Sequence, residues 1–160
     1  MSASAAEPFR HIPVLLQDSS TSPRVPKGYL YFESMSAEAQ AFMGQLEDQT
    51  PRFGSIVFAV RPDASRKIWL NLYPALTPEL TRAMLSRLEA VPPCQVFGGT
   101  FVAAINVTIG NSRDLAFEPM PREWRDAMET SGIVEVTELV DFLWPPVAAP
   151  DTSLERTRGK

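Results

Sequence analysis

A chain of 160 residues with 44% hydrophobic and 21% charged side chains is sized for one globular domain with tails, and it can bury a core without disulfide staples. Nineteen acidic against fifteen basic side chains give a formal charge of -4, which speaks against a dedicated nucleic-acid binder. One cysteine (Cys94) and one histidine (His11) exclude an intrachain disulfide, a cysteine-rich zinc site and a two-histidine metal site.

Met1 to Pro8 are small and polar, without the basic start and apolar stretch of a signal peptide. No apolar run approaches the roughly 20 residues a membrane-spanning helix needs, so the chain as written is expected in the cytoplasm. Proline is the compositional outlier, with 15 residues where about 8 are expected at average usage. Pro8, Pro13, Pro23 and Pro26 crowd the N-terminal end, and residues 1–26 are expected to be a flexible segment. Pro145, Pro146 and Pro150 open a polar C-terminal stretch, so residues 145–160 are expected to be a disordered tail. A single domain is then expected over 27–144.

The aromatic run from Gly28 to Glu33 predicts a short strand. Ser36 is the expected N-cap of a helix to about Leu46, with Met35, Ala39, Phe42, Met43 and Leu46 on one face. Ile56 to Val60 predicts a strand with Ile56, Phe58 and Val60 as its bulkier side. A turn at Pro62-Asp63-Ala64 and a second alternating strand, Lys67 to Tyr73, make an antiparallel hairpin the simplest solution. Thr77-Pro78-Glu79 starts a helix by supplying a cap, a first-turn proline and a carboxylate at the positive end of the dipole. Leu80, Met84, Leu88 and Val91 form its stripe, and Pro92-Pro93 ends it. Phe101 to Ile109 alternates again, with a half-polar second side made of Val102, Ala104, Asn106 and Thr108, the pattern of a sheet with one buried face. Pro121 to Glu129 predicts a helix, and Ile133 to Val136 reads as a short strand or as the lead into a last helix capped by Thr137. The expected fold is α+β, an antiparallel sheet containing a β-β-α-β unit over 54–110 and packed by helices on one face.

The chemistry-bearing side chains give little. No dinucleotide cradle or P-loop pattern occurs, and Gly98-Gly99 precedes a strand rather than a helix. His11 lies among prolines, and Cys94 lacks a nearby base to activate it. Glu135, Glu138 and Asp141 recur at intervals of three, which suits a solvated helix face better than an acid/base pair. Trp69, Asn71 and Tyr73 share the strand side opposite Ile68, Leu70 and Leu72, and that aromatic side suits either a protein-binding surface or a covering helix.

From Gly54 to Gly110 the run of pieces resembles the C-terminal domain of TonB-type energy transducers. The pieces are Gly54, the strand Ile56 to Val60, Pro62-Asp63-Ala64, the strand Lys67 to Tyr73, the helix Thr77 to Val91 with Pro92-Pro93, and the strand Thr100 to Ile109. The family's Tyr-Pro segment is replaced by Gln49-Thr50-Pro51-Arg52-Phe53, Ala64 stands where the family turn carries glycine, and no anchor helix or long proline-rich spacer is present. The resemblance implies a bacterial protein whose sheet edge accepts an extended partner strand, with an outer-membrane transporter or another envelope protein as partner, and a periplasmic place if the N-terminus is incomplete.

The expected function is therefore a non-enzymatic protein-protein interaction domain that needs no cofactor or metal and binds by strand addition. The expected partner-binding residues are Thr100, Val102, Ala104, Asn106 and Thr108 on the last strand, taken as the sheet edge, with Trp69 and Tyr73 beside it. Between Arg52 and Gly110 six basic residues (Arg52, Arg61, Arg66, Lys67, Arg82, Arg87) face three acidic ones (Asp63, Glu79, Glu89), so this segment is +3 and suits an acidic peptide. A homodimer is the other assembly this edge allows. The alternatives are a small enzyme using Glu135, Glu138 or Asp141, and a structural or inhibitory subunit docking through Trp69 and Tyr73.

Overall fold

The computed structural model describes residues 9–17, 25–110 and 119–146. Its elements in chain order are β1 (Phe9–Leu15), α1 (Gly28–Gly44), β2 (Arg52–Val60), β3 (Arg66–Tyr73), α2 (Pro78–Glu89), β4 (Phe101–Ile109), α3 (Arg122–Ser131) and α4 (Val136–Leu143). The strands form one antiparallel sheet in the order β1-β4-β2-β3, so the fold is α+β and contains the expected β-β-α-β unit. Among the described residues no helix is long and apolar enough to cross a membrane.

The β2–β3 hairpin sets the geometry. Arg61 N–H donates to Ser65 C=O and Ala64 N–H to Arg61 C=O, both at 2.9 Å. This is the three-residue loop in which a type I turn is followed by a left-handed residue. Ala64 holds that left-handed position at φ 71°, where glycine is the easier residue. Asp63 steadies the loop by accepting from Ser65 N–H at 2.9 Å and from the Ser65 hydroxyl.

Helices cover both faces of the sheet, not one. On the first face Ile56, Phe58, Ile68, Leu72, Phe101, Ala103 and Ile105 pack with Tyr31, Met35 and Phe42 of α1 and Met84 and Leu88 of α2. On the second, Val57, Ala59, Trp69, Val102 and Ala104 pack with Trp124 of α3 and with Leu139 and Val140 of α4. The half-polar side of β4 is thus buried as well, Asn106 and Thr108 included. Here tertiary cover overrides the usual reading of polar alternation as solvent exposure.

Four further expectations change. Gly28–Glu33 is not a strand but the opening of α1. Its aromatic content favours a strand locally, but Tyr31, Met35, Ala39 and Phe42 recur at helical spacing and bury together against the sheet. Ser36 is consequently a buried mid-helix residue rather than a cap. Phe9–Leu15, expected within the flexible segment 1–26, is a strand, because it pairs antiparallel with β4 over seven register positions. Glu135 rather than Thr137 caps α4, accepting from Thr137 N–H at 3.0 Å and Glu138 N–H at 2.7 Å. Apart from Pro145 and Pro146, the expected tail 145–160 lies outside the described residues. The expected cap of α2 is present: Thr77 Oγ1 accepts from Leu80 N–H at 3.2 Å, with Pro78 in the first turn.

α4 is fastened to the hairpin by Arg61, whose side chain is buried although it sits at a turn. Its guanidinium pairs with Asp141 at 3.0 Å, donates to Trp144 C=O and lies 3.6 Å from the centroid of the Trp144 ring. Replacing Arg61 with methionine removes all three contacts; the expected result is a loss of about 1–2 kcal/mol and faster amide exchange confined to α4. Gly54 is fixed by a closer constraint, since at φ +155° an added Cβ would lie 1.9 Å from the Asn71 carbonyl oxygen. Gly54→Ala is therefore expected to lower stability by about 3 kcal/mol, read from the urea midpoint.

Candidate functional site

The residues expected at the sheet edge lie in its middle. β4 pairs with β2 on one side and with β1 on the other, in register from Phe9↔Ile109 to Leu15↔Ala103. Thr100, Val102, Ala104, Asn106 and Thr108 are all buried, and none offers a free edge to a partner. Trp69 is only 6% exposed, because the Trp124 ring of α3 meets it edge-on with centroids 5.1 Å apart. That contact removes the aromatic docking face. Tyr73 alone of the set is open, at 41%, and stacks on Phe53 at 5.5 Å.

The true edges follow from the hairpin. In an antiparallel ladder, residues alternate between pointing their N–H and C=O at one neighbour and at the other. Because Arg61 and Ser65 bond each other, the β3 residues Lys67, Trp69, Asn71 and Tyr73 turn their backbone groups toward β2. Arg66, Ile68, Leu70 and Leu72 turn theirs outward. Carried across β2 and β4, the same alternation points the even-numbered residues of β4 at β1. The Gln17 side chain agrees with this independently: its amide accepts from Val102 N–H at 3.0 Å and donates to Thr100 C=O at 2.9 Å, extending the ladder one rung past β1. The same amide donates to Thr137 Oγ1 at 2.9 Å, tying β1 to α4.

The two edges differ. On β1 the outward residues are Phe9, His11, Pro13 and Leu15. Pro13 has no N–H, so it costs the β4 ladder nothing and leaves a gap in the outer row. On β3 the outward row is Arg66, Ile68, Leu70 and Leu72, without proline, and among the described residues β3 pairs with no strand but β2. The basic pair Arg66–Lys67 sits at one end of that row and Tyr73 at the other.

The carboxylates considered for catalysis have structural tasks. Glu135 caps α4; burial works to raise its pKa, but the N–H groups of Thr137 and Glu138 outweigh it and hold the carboxyl below its ordinary value. Asp141 is engaged by Arg61. Among the described residues no three histidine, cysteine or carboxylate side chains gather as metal ligands. His11 lies exposed on β1 with its ring 5.9 Å from that of Phe9. Burial pushes the Cys94 thiol up to about 11, which keeps it protonated and a poor nucleophile.

A second feature flanks α1. A cavity of about 330 Å³ runs along that helix from its N-terminal end, with Lys27, Leu30, Tyr31 and Ser34 on one wall and Pro92 and Pro93 opposite. Tyr31 is 3% exposed, and burial pushes its phenol up to about 12 against the opposing pull of Arg66. Sequence patterning gives no sign of this cavity, because the segment that forms its second wall, Pro92 to Gln95, has no regular structure.

No protein-family model matches the chain, and neither does any curated protein or solved structure.

The Tyr31 phenol and the Cys94 thiol both hold their protons more tightly in the fold than in an unfolded chain, where they ionise near 10.0 and 9.0. Their contribution to stability is complete below pH 9 and is lost as pH rises through 11 and 12, since only the unfolded chain releases these protons in that window. Urea unfolding between pH 8 and about pH 11 is expected to show a shallower alkaline decline for the Tyr31→Phe, Cys94→Ala double variant than for the parent chain.

Proposed function

We propose that this chain is a non-enzymatic interaction domain that binds an extended protein segment by strand addition to the outer edge of β3. The observation that carries this reading is the uninterrupted outward row of Arg66, Ile68, Leu70 and Leu72, which has no strand partner among the described residues. An unpaired row of backbone donors and acceptors is the surface that strand addition uses. Tyr73 offers a half-exposed ring beside the incoming strand, and Arg66 and Lys67 favour a segment with acidic residues near the hairpin end. The resemblance to the TonB C-terminal domain, over residues 54–110, supports the same mode of recognition and an envelope protein as partner. The edge that the resemblance would use, β4, is taken by β1, so the proposal rests on β3.

The test uses random eight-residue peptides displayed on phage and selected against the full chain. Selected peptides are expected to be acidic and to slow amide exchange at Ile68, Leu70 and Leu72. Leu70→Pro removes one outward N–H without touching the β2 ladder, and Leu70→Ala removes the side chain while keeping that N–H. Binding is expected to fall at least about tenfold in the proline variant relative to the alanine variant. Equal binding by the two, or protection that maps away from β3, would overturn the reading.

A further inference from the structure

We infer that β1 is a detachable strand: it occupies an acceptor edge on β4 and, by leaving, opens that edge to an extended segment with the same aliphatic alternation. Three observations carry this, and none depends on the β3 edge.

The first is how little side-chain burial holds β1. Five of its seven residues are exposed, and Phe9 and Val14 are only partly buried. All nine residues of β4 are buried, by contrast. No residue of β1 belongs to the buried set of either core: Phe9 rests against the margin of one and Val14 against the margin of the other. On the first face Pro13 and Leu15 border an open cavity of about 540 Å³, with Val25, Phe32 and Phe101 among its other walls. Close packing is what seats a strand permanently, and here it is missing along one side. A segment with so few buried apolar contacts belongs to the low end of local stability.

The second is the nature of the hold. The rungs Arg10↔Thr108, Ile12↔Asn106 and Val14↔Ala104 are backbone pairs, which any extended chain can supply. Gln17 adds a side-chain latch. Its single amide accepts from Val102 N–H, donates to Thr100 C=O and donates to Thr137 Oγ1 of α4.

The third is the difference between the covered row and the covering one. Beneath β1, the β4 row Val102, Ala104, Asn106 and Thr108 has neither proline nor charge, so once uncovered it is a complete acceptor edge. β1 carries Pro13 in its own outer row and so offers no continuous edge while it is docked. This side of the sheet is therefore closed to strand addition with β1 in place and open without it. The segment it fits carries aliphatic residues at alternate positions, to lie where Val14 and Leu16 meet the second core, and an amide side chain at the place of Gln17.

Two measurements on the full chain test this. Amide exchange has an internal reference, because Ala104 and Asn106 bond toward β1 whereas Ala103 and Ile105 bond toward β2. Protection at Ala104 and Asn106 is expected to be at least about a hundredfold lower than at Ala103 and Ile105. The second probe is a peptide with the sequence of residues 9–17, titrated into the 15N-labelled parent chain and into Gln17→Ala, whose own β1 lacks the latch. At about 1 mM it is expected to shift Val102 to Thr108 in the variant and to bind the parent at least about tenfold more weakly. A scrambled peptide is expected to shift neither. Leu70→Pro, which disables the β3 edge, is expected to leave both results unchanged. Equal protection of the two β4 rows, absence of peptide-induced shifts in Gln17→Ala, or shifts that map to β3 would each overturn the inference.

Discussion

One rung of the hairpin, Arg61 with Ser65, decides the direction of every backbone group in the sheet. Side chains and hydrogen bonds both alternate with a period of two, so fixing the rung fixes which residues of β3 bond β2 and which face outward. The choice then propagates through Ile56↔Ile105 on β4 to Ile12↔Asn106 on β1. It explains why Pro13 is harmless where it stands, and why Val102 N–H is free to meet Gln17. A slip of one residue at Ala64 would exchange the two faces of β3, moving Trp69 off Trp124 and Ile68 out of the first core. The turn is therefore the place where sequence has the greatest leverage over the rest of the fold.

With helices on both sides, the faces of this sheet are spent on stability. The second face is the less uniform. Val57, Val102 and Trp69 meet α3 and α4, while Ser55, Asn106 and Thr108 continue the same face as buried polar groups. Ser55 and Asn106 are directly opposed across β2 and β4, with Asn71 next in the row, and the Asn71 amide reaches Met120 C=O at 3.3 Å. Polar side chains there gain less from burial than Val57 or Val102 do, so this half contributes specificity of packing more than hydrophobic free energy. Among the described residues, the helices leave the rim of the sheet and the flank of α1 uncovered.

The elements whose periodicity is long and whose ends carry caps were legible in the sequence. β2, β3, α2, β4 and α3 fall where alternation, Thr77-Pro78 and Pro92-Pro93 place them. Gly28 to Glu33 was not legible, because its four aromatic and apolar residues (Tyr29, Leu30, Tyr31, Phe32) look alike in a strand and in the first turns of a buried helix; only the continuation through Met35, Ala39 and Phe42 separates the two. β1 was hidden for a different reason. Five of its seven residues are exposed, so it leaves almost no hydrophobic pattern, and two prolines and a polar run surround it. Its stabilisation comes from backbone pairing with a strand more than 80 residues away in the chain, which no local signal reports. The candidate edge was misplaced by the same blindness: β4 is a terminal strand of the β-β-α-β unit taken alone and becomes interior only when β1 is added. Tyr31 and the cavity depend on a long-range approach of Cys94 to α1, which spacing cannot show.

The unequal treatment of the two edges bears on how an exposed strand is to be read. Natural sheets guard their edges with proline, with charge, or with cover, since any unpaired row invites association. On β1 the guard is Pro13, set midway in the row where it interrupts every antiparallel or parallel register. On β3 the charges Arg66 and Lys67 could be taken as a guard of the same kind. They stand at one end, however, beside the turn, and the row from Ile68 to Leu72 carries no charge at all. A guard placed only at the end would act, under the proposed strand addition, as a selector for acidic segments rather than as a barrier. The asymmetry between a β1 row broken by Pro13 and a β3 row charged only at its end is the feature that general edge protection does not explain and that the proposed strand addition would use.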